Sequence, residues 1–427
     1  MDRRRALGAM SGLVAAPMIS APLLSTTSAA TITALPQPGA SFPRTMDFSI
    51  EPGATYLNAA YTHPIPRTSV EAVRVASDSR GLMRGAMAMP GSTNPAATPR
   101  ALFAKLINAK AEEIAYVSST SAGENLVVRA LELDTRREGN VVTDGLHFEG
   151  ALMHLDVLKR RGLDVRIARP TADGRILLRD LERLVDKNTR LVEITATAMY
   201  NGFQHDLKAV ADLAHAHGAL VYVDIVHAAG AEPLDVRANG IDFAACSSFK
   251  WLMGDFGFGF LYAAERTWDR LVRPVVSYNQ AATIDQAVPP SWTSAEQAAV
   301  TYEFGRSAAA IFEAGSPVGS ARVESALVAR SLAYIDALGV ARIQAHRIPL
   351  IRRLQQEMPR LGFAPITPPD ATGGIVTFVR EGLGASNIPK RLADARINVR
   401  VAASWMRISP SVYNDMRDIE RLLDVLS

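Results

Sequence analysis

Apolar and polar positions along this chain fall into blocks that switch between two periods. Short apolar runs bounded by glycine or polar residues predict buried strands at residues 114–117, 140–143, 164–168, 191–195, 219–223 and 243–246. Between them, apolar residues recurring at intervals of three and four predict helices at 123–133, 149–159, 179–186 and 207–217, the last closed by Gly218. Upstream, helical spacing begins near Ser69, and a second helix ends near Ala109 after a polar loop at 85–98. Strands alternating with helices through right-handed crossovers build an α/β fold, a largely parallel sheet with helices on both faces.

Beyond about Arg273 the pattern changes. Residues 275–297 read as a proline-containing loop, and the periodic segment 323–338 as a long helix linking two domains. A helix to Met358, a strand at 374–379, a helix at 388–395 and strands near 398–401 and 406–409 follow, and Asn414 is placed to cap a last helix through Leu426. The expected division is a lead-in at 31–70, a large domain at 71–285, and a linker helix with a small α+β domain at 286–427.

Composition narrows the class. The 427 residues are 48% hydrophobic and 21% charged, as in an ordinary soluble enzyme. Of the net charge of +3, residues 1–30 hold three arginines and one aspartate, leaving about +1 for the rest and little electrostatic reason to expect nucleic acid or an anionic membrane as partner. Arg3, Arg4 and Arg5 precede a short apolar stretch and a run of small residues, the layout of a twin-arginine export signal over residues 1–30. The expected location is therefore periplasmic or secreted, and cytoplasmic if that segment is no signal. A single cysteine, Cys246, rules out an intrachain disulfide.

The candidate chemistry centres on residues 218–262. Asp224 ends one apolar run, His227 follows three residues later, and Lys250 lies just past the next run. In open α/β sheets ligands bind past the carboxyl ends of strands, so this carboxylate and amine can converge on one cleft. Pyridoxal phosphate suits such a pair: the amine forms its Schiff base, and the carboxylate holds its ring nitrogen protonated. Residues 118–125, Ser-Ser-Thr-Ser-Ala-Gly-Glu-Asn, join a strand to a helix, where backbone N–H groups can hold a phosphate or simply make a good cap.

The segments Val-Asp-Ile-Val-His (223–227), Ser-Ser-Phe-Lys-Trp (247–251) and Arg-Ile-Ser-Pro-Ser-Val-Tyr-Asn (407–414) resemble the class V aminotransferase family, fold-type-I pyridoxal phosphate enzymes. The resemblance runs from about Tyr56 to the end. It implies a mainly parallel seven-stranded sheet in the large domain and a homodimer whose sites lie at the subunit interface. It also implies roles. Lys250 would be catalytic and, with Asp224 and His227, bind the cofactor; Ala122, Gly123 and Ser247 would meet its phosphate. His147 or Phe148 would stack on the ring, with Gly150 favouring Phe148. Asn201 would contact the ring oxygen or substrate, or merely serve an Asn-Gly turn. Arg407 would grip the carboxylate of an amino-acid substrate in two-point fashion, or be an ordinary edge-strand arginine. Asn58 is a further substrate candidate. Arg306 departs from a family threonine and would meet a phosphate or a second acidic group. Phe249 stands where relatives often have histidine. No metal is expected.

The resemblance leaves transamination, epimerisation and elimination open. Family members that form a persulfide use a cysteine on a C-terminal mobile loop; with Cys246 alone, the expectation is that this chain is not a persulfide-forming cysteine desulfurase. A fold retained for binding without turnover is the rival reading.

Overall fold

The computed structural model describes residues 34–81, 98–277, 280–284, 302–313 and 322–427. The expected export signal, nearly all of the loop at 85–98 and the residues beside the expected boundary at 285 lie outside these.

Seven strands form the central sheet. In chain order, after the short β1 (Thr55–Tyr56), they are β2 (Ile114–Val117), β3 (Asn140–Asp144), β4 (Asp164–Ala168), β5 (Thr189–Thr195), β6 (Leu220–Asp224), β7 (Phe243–Ser247) and β8 (Gly259–Ala263). Their spatial order is β2-β8-β7-β6-β5-β3-β4. Pairs β3–β4, β3–β5, β5–β6 and β6–β7 are parallel, and only β8 runs against its neighbours. The expected mainly parallel seven-stranded sheet is what forms. Strands β3, β6, β7 and β8 are buried at every position, both faces being covered, which explains the apolar runs of β6, β7 and β8.

Alternation along each strand divides the core into two layers. Val221, Val223, Ala244 and Cys246 face one apolar cluster, together with Phe103 of α2 (Pro99–Leu106) and Val210 of α6 (Leu207–Ala216). Leu220, Tyr222, Phe243 and Ala245 face the other, with Val127 of α3 (Thr120–Ala130) and Leu155 of α4 (Glu149–Arg160). Cys246 and Ser247 thus project to opposite faces of β7.

A four-stranded antiparallel sheet follows, ordered β11 (Ala364–Pro365), β12 (Val376–Val379), β15 (Trp405–Ile408) and β14 (Arg400–Val401). The helices α9 (Val340–Glu357), α10 (Ile388–Asp394) and α11 (Met416–Leu426) share its apolar cluster. β13 (Ile397–Asn398) pairs in parallel with β1, tying the N-terminal lead-in to this part of the chain.

Several expected boundaries move for local reasons. α3 starts at Thr120 rather than Gly123, because the Ser119 hydroxyl accepts the Ala122 N–H and caps it there. The helix expected at 179–186 is only Leu178–Glu182 (α5); the Asp186 carboxylate accepts the Asn188 N–H and turns the chain. Within the loop expected at 275–297, Ala281–Ile284 is a strand, β9, paired antiparallel with β10 (Tyr302–Phe304). The strand expected near 398–401 is split between β13 and β14. Asp415, not Asn414, caps α11 in a capping box with Asp418, while Asn414 donates to the Tyr56 carbonyl.

Candidate active site

Six of the seven strands end on the same edge of the sheet, and most of the expected residues gather there. Past β7 the chain makes a tight loop before entering β8. The Ser248 N–H donates to the Phe258 carbonyl at 2.8 Å, the Gly254 N–H to the Ser248 carbonyl at 2.8 Å, and the Met253 N–H to the Lys250 carbonyl at 2.9 Å. A Cβ on Gly254 would lie 2.5 Å from the Ser248 hydroxyl oxygen, so glycine is needed for closure. This frame turns the Lys250 side chain inward. Its Nζ lies 3.1 Å from His227 Nε2 and about equally far, 6.0 and 5.8 Å, from the ring centres of Phe148 and Phe249. Burial lowers the Lys250 amine to about 8, against the opposing pull of Asp224 and with a further push from Arg407. An amine lowered to about 8 is roughly one-tenth neutral at pH 7, far more than an ordinary lysine, and the neutral form is the one that attacks a carbonyl carbon.

Asp224 ends β6, beside β7. One carboxylate oxygen accepts the Val226 N–H at 2.9 Å. Burial raises its affinity for a proton, and the charges of His147 and Lys250 work against that rise. His227 is 2% exposed and held neutral, first by burial and then by the charges of Lys250 and Arg407. Its Nδ1 accepts from the indole N–H of Trp251 at 3.3 Å. A buried carboxyl with no cation bonded to it among the described residues is the setting a protonated pyridine nitrogen would complete. The donor set therefore fits pyridoxal phosphate.

The start of α3 is clasped to the end of β7. The Thr120 N–H donates to the Ser247 hydroxyl at 2.8 Å, the Ser247 N–H donates to the Thr120 hydroxyl at 3.0 Å, and the two hydroxyls are 3.0 Å apart. The N–H groups of Ala122 and Gly123, expected to hold phosphate, are bonded within the cap to the Ser119 hydroxyl and carbonyl. Gly123 has a packing reason as well: a Cβ there would stand 2.8 Å from the Ala245 Cβ.

Of the two ring candidates, Phe148 faces Lys250. A Cβ on Gly150 would come within 2.6 Å of the Phe148 ring, so Gly150 makes room for it. His147 is sealed below: Nδ1 accepts the Phe148 N–H at 2.8 Å, and Nε2 is 3.6 Å from a Glu193 oxygen. Burial opposes a second proton on His147 and the carboxylates of Glu193, Asp224 and Asp144 favour it, but taking it up would break the contact at Nδ1.

Arg407 on β15 is 3% exposed. Its Nη1 donates to the Met199 carbonyl at 3.1 Å, and its Nε has no partner. No carboxylate among the described residues pairs with it. Burial, then Arg400, lowers it to about 10. An under-used buried guanidinium beside the amine is suited to a carboxylate that arrives with a ligand. Asn58 is buried nearby, bridged to Ser409, with its side-chain oxygen unpartnered. Asn201 instead serves its turn, donating to the Gly174 carbonyl at 2.7 Å and accepting the Phe203 N–H at 3.1 Å. Arg306 stands apart on the surface, paired with Asp269 at 2.8 and 3.1 Å.

Two residues in this network were not singled out from the sequence. Trp251 is hidden there as an ordinary apolar neighbour of the lysine. Arg347 carried a signal: it continues the buried series Ile343, Leu350, Ile351 and Leu354 of α9, a cation at a core position. It lies over the Trp251 ring, 4.7 Å from its centre. Among the described residues no group of acidic, histidine or cysteine side chains could hold a metal, and no helix is long and apolar enough to cross a membrane.

Comparison with known proteins agrees with this geometry. The family described as Aminotransferase class-V matches residues 55–422. A probable cysteine desulfurase of Methanothermobacter thermautotrophicus is 28% identical over 343 residues, 79% of this chain and 80% of that protein. The apo structure of a cysteine desulfurase from Thermococcus onnurineus NA1 superposes with a TM-score of 0.77 at 23% identity, covering 91% of this chain and 98% of the other. A C-DES variant with glycine covalently linked to its pyridoxal phosphate gives 0.76 at 19% identity, over 90% and 99%. Other relatives carry the name cysteine desulfurase too. These findings overturn the expectation that the chain is not a persulfide-forming cysteine desulfurase. The count of cysteines spoke to where sulfur goes after the C–S bond breaks, not to whether the chain breaks it. Retention of the fold for binding alone is likewise not favoured.

Proposed function

The chain belongs to the class V aminotransferase family, and from that premise we propose that it is a cysteine desulfurase-type enzyme, breaking the C–S bond of a cysteine-like amino acid. It is a pyridoxal phosphate-dependent enzyme, as its family is. The observation that carries the substrate reading is the match to relatives named cysteine desulfurases across more than three quarters of the chain. When bound, the cofactor supplies an electron sink next to the substrate's α-carbon.

The protein's own residues have separable tasks. Lys250 would hold the cofactor, and its amine, lowered to about 8, is suited to move a proton at the substrate's α-carbon. Asp224 would keep the proton on the pyridine nitrogen, an assignment that its burial without a bonded cation supports. His227 would donate toward the ring oxygen and Phe148 would pack on the ring face. The Thr120–Ser247 clasp ties the α3 N-terminus to the lysine loop, where it would meet the phosphate, and an anion reaching the Ala122 N–H must displace the Ser119 hydroxyl. Arg407 orients the substrate carboxylate, with Asn58 beside it. Assembly as a homodimer and twin-arginine export belong to the same proposal; the first rests on the resemblance, the second on residues 1–30.

The test is incubation of the loaded enzyme with single amino acids and dithiothreitol as reductant. L-cysteine should yield sulfide and alanine in equal amounts, and Lys250→Ala should yield neither. A protein that takes up cofactor but releases no sulfide from L-cysteine would overturn the substrate reading.

A further inference from the structure

The contact between Trp251 and His227 has a consequence for the protonation of Lys250. An indole N–H can only donate, and a neutral imidazole has one N–H and one bare nitrogen. With Trp251 Nε1 donating to Nδ1 at 3.3 Å, the His227 proton must sit on Nε2. That atom faces Lys250 Nζ at 3.1 Å. An ammonium there would set donor against donor, whereas a neutral amine can accept. We propose that Trp251 is a positioning residue that fixes His227 as its Nε2–H tautomer and thereby favours Lys250 as a neutral acceptor amine, the form ready for carbonyl attack.

The surroundings point the same way. Trp251 is 1% exposed and cannot exchange this acceptor for water. The Arg347 guanidinium over the indole face polarises the ring, making its N–H a better donor. Of the other ionisable groups facing the pair, Arg407 disfavours a charge on either His227 or Lys250. Asp224 favours a charged lysine but is not bonded to it. His63, with its ring centre 6.2 Å from that of Trp251, is itself kept neutral by burial, lowered to about 4. With the lysine nitrogen committed to a bound cofactor, the same Nε2–H would be left to donate to an oxygen of it.

This inference rests on Lys250 being the cofactor lysine, but its test does not depend on turnover. Histidine-selective nitrogen labelling of the full-length, cofactor-free chain reports the tautomer directly, with His227→Gln assigning the signal. Wild type should show His227 as Nε2–H, and Trp251→Phe should lose that state for Nδ1–H or a mixture. Freed in this way, His227 can accept from an ammonium. The midpoint of Lys250 acylation against pH, followed by mass spectrometry, should therefore rise by about one unit, a tenfold loss of neutral amine below it. If the phenylalanine variant does not fold, 3-benzothienylalanine at position 251 keeps the shape of indole and removes only the donor. An Nδ1–H tautomer in the wild type, or an Nε2–H tautomer and lysine midpoint unchanged on removal of the donor, would overturn the proposal.

Discussion

Gly123→Ala offers a quantitative test of how the site is held together. The added Cβ would stand 2.8 Å from the Ala245 Cβ and 3.6 Å from Leu261 Cδ1. Carbon atoms pack at roughly 3.5–4.0 Å, so α3 must retreat from β7 by about 1 Å. Overpacking of this kind costs about 1–3 kcal/mol, against which alanine recovers about 0.5–1 kcal/mol of helix preference. The expected net loss is about 0–2.5 kcal/mol of stability in urea denaturation of the cofactor-free protein. The same retreat pulls Thr120 away from Ser247, whose hydrogen bonds of 2.8 and 3.0 Å join the helix start to the lysine loop. Cofactor affinity, measured by titration in the visible band, should therefore weaken as well. Ala245→Gly removes the obstructing methyl and should be less harmful in the Gly123→Ala background than alone, with a coupling of at least about 1 kcal/mol. Additive effects of the two substitutions would refute the close approach of α3 to β7 as the reason for glycine.

Other consequences are read more simply. Arg407→Met removes a charged grip worth about 1.5–3 kcal/mol, so KM for the amino acid should rise roughly 10- to 150-fold. Apo stability should hold or improve, since the substitution also removes a buried guanidinium whose Nε is unpartnered; an unchanged KM would count against the role. The lowered amine of Lys250 makes the native chain bind fewer protons than the unfolded one between about 8 and the ordinary lysine range. Its penalty is thus fully present below about 8 and fades as pH rises, so apo wild type should gain on Lys250→Met across that window in denaturation at several pH values. Cys246 is fully buried and its thiol is pushed well above the ordinary range, so a thiol reagent should label it only in denaturant; rapid labelling of the native protein would contradict the packing of β7.

Much of this was legible because the sheet is covered on both faces. Unbroken runs such as those of β6 and β7 can be nothing but buried strands, and ligand sites past their carboxyl ends follow from topology. Lys250, Asp224 and His227 therefore converge as read. Contacts that cross the sequence without a period were illegible. Nothing in the neighbourhood of Trp251 reveals that its indole reaches His227, 24 residues away. The Ser119 hydroxyl decides where α3 begins, a one-atom matter that apolar spacing does not register. Asn201 shows the converse: an Asn-Gly pair reads alike whether it serves a ligand or a turn, and its side chain is engaged by the Phe203 N–H of its own turn and by the Gly174 carbonyl of a neighbouring loop. The cysteine count misled because it concerns the sulfur acceptor, a property separable from the residues that break the bond.

The most direct measurement is borohydride reduction of the full-length protein after incubation with pyridoxal phosphate, followed by peptide mass mapping. The account predicts a reduced pyridoxyl group on Lys250, lost in Lys250→Ala together with the visible band. A label on another lysine, or none, would contradict it.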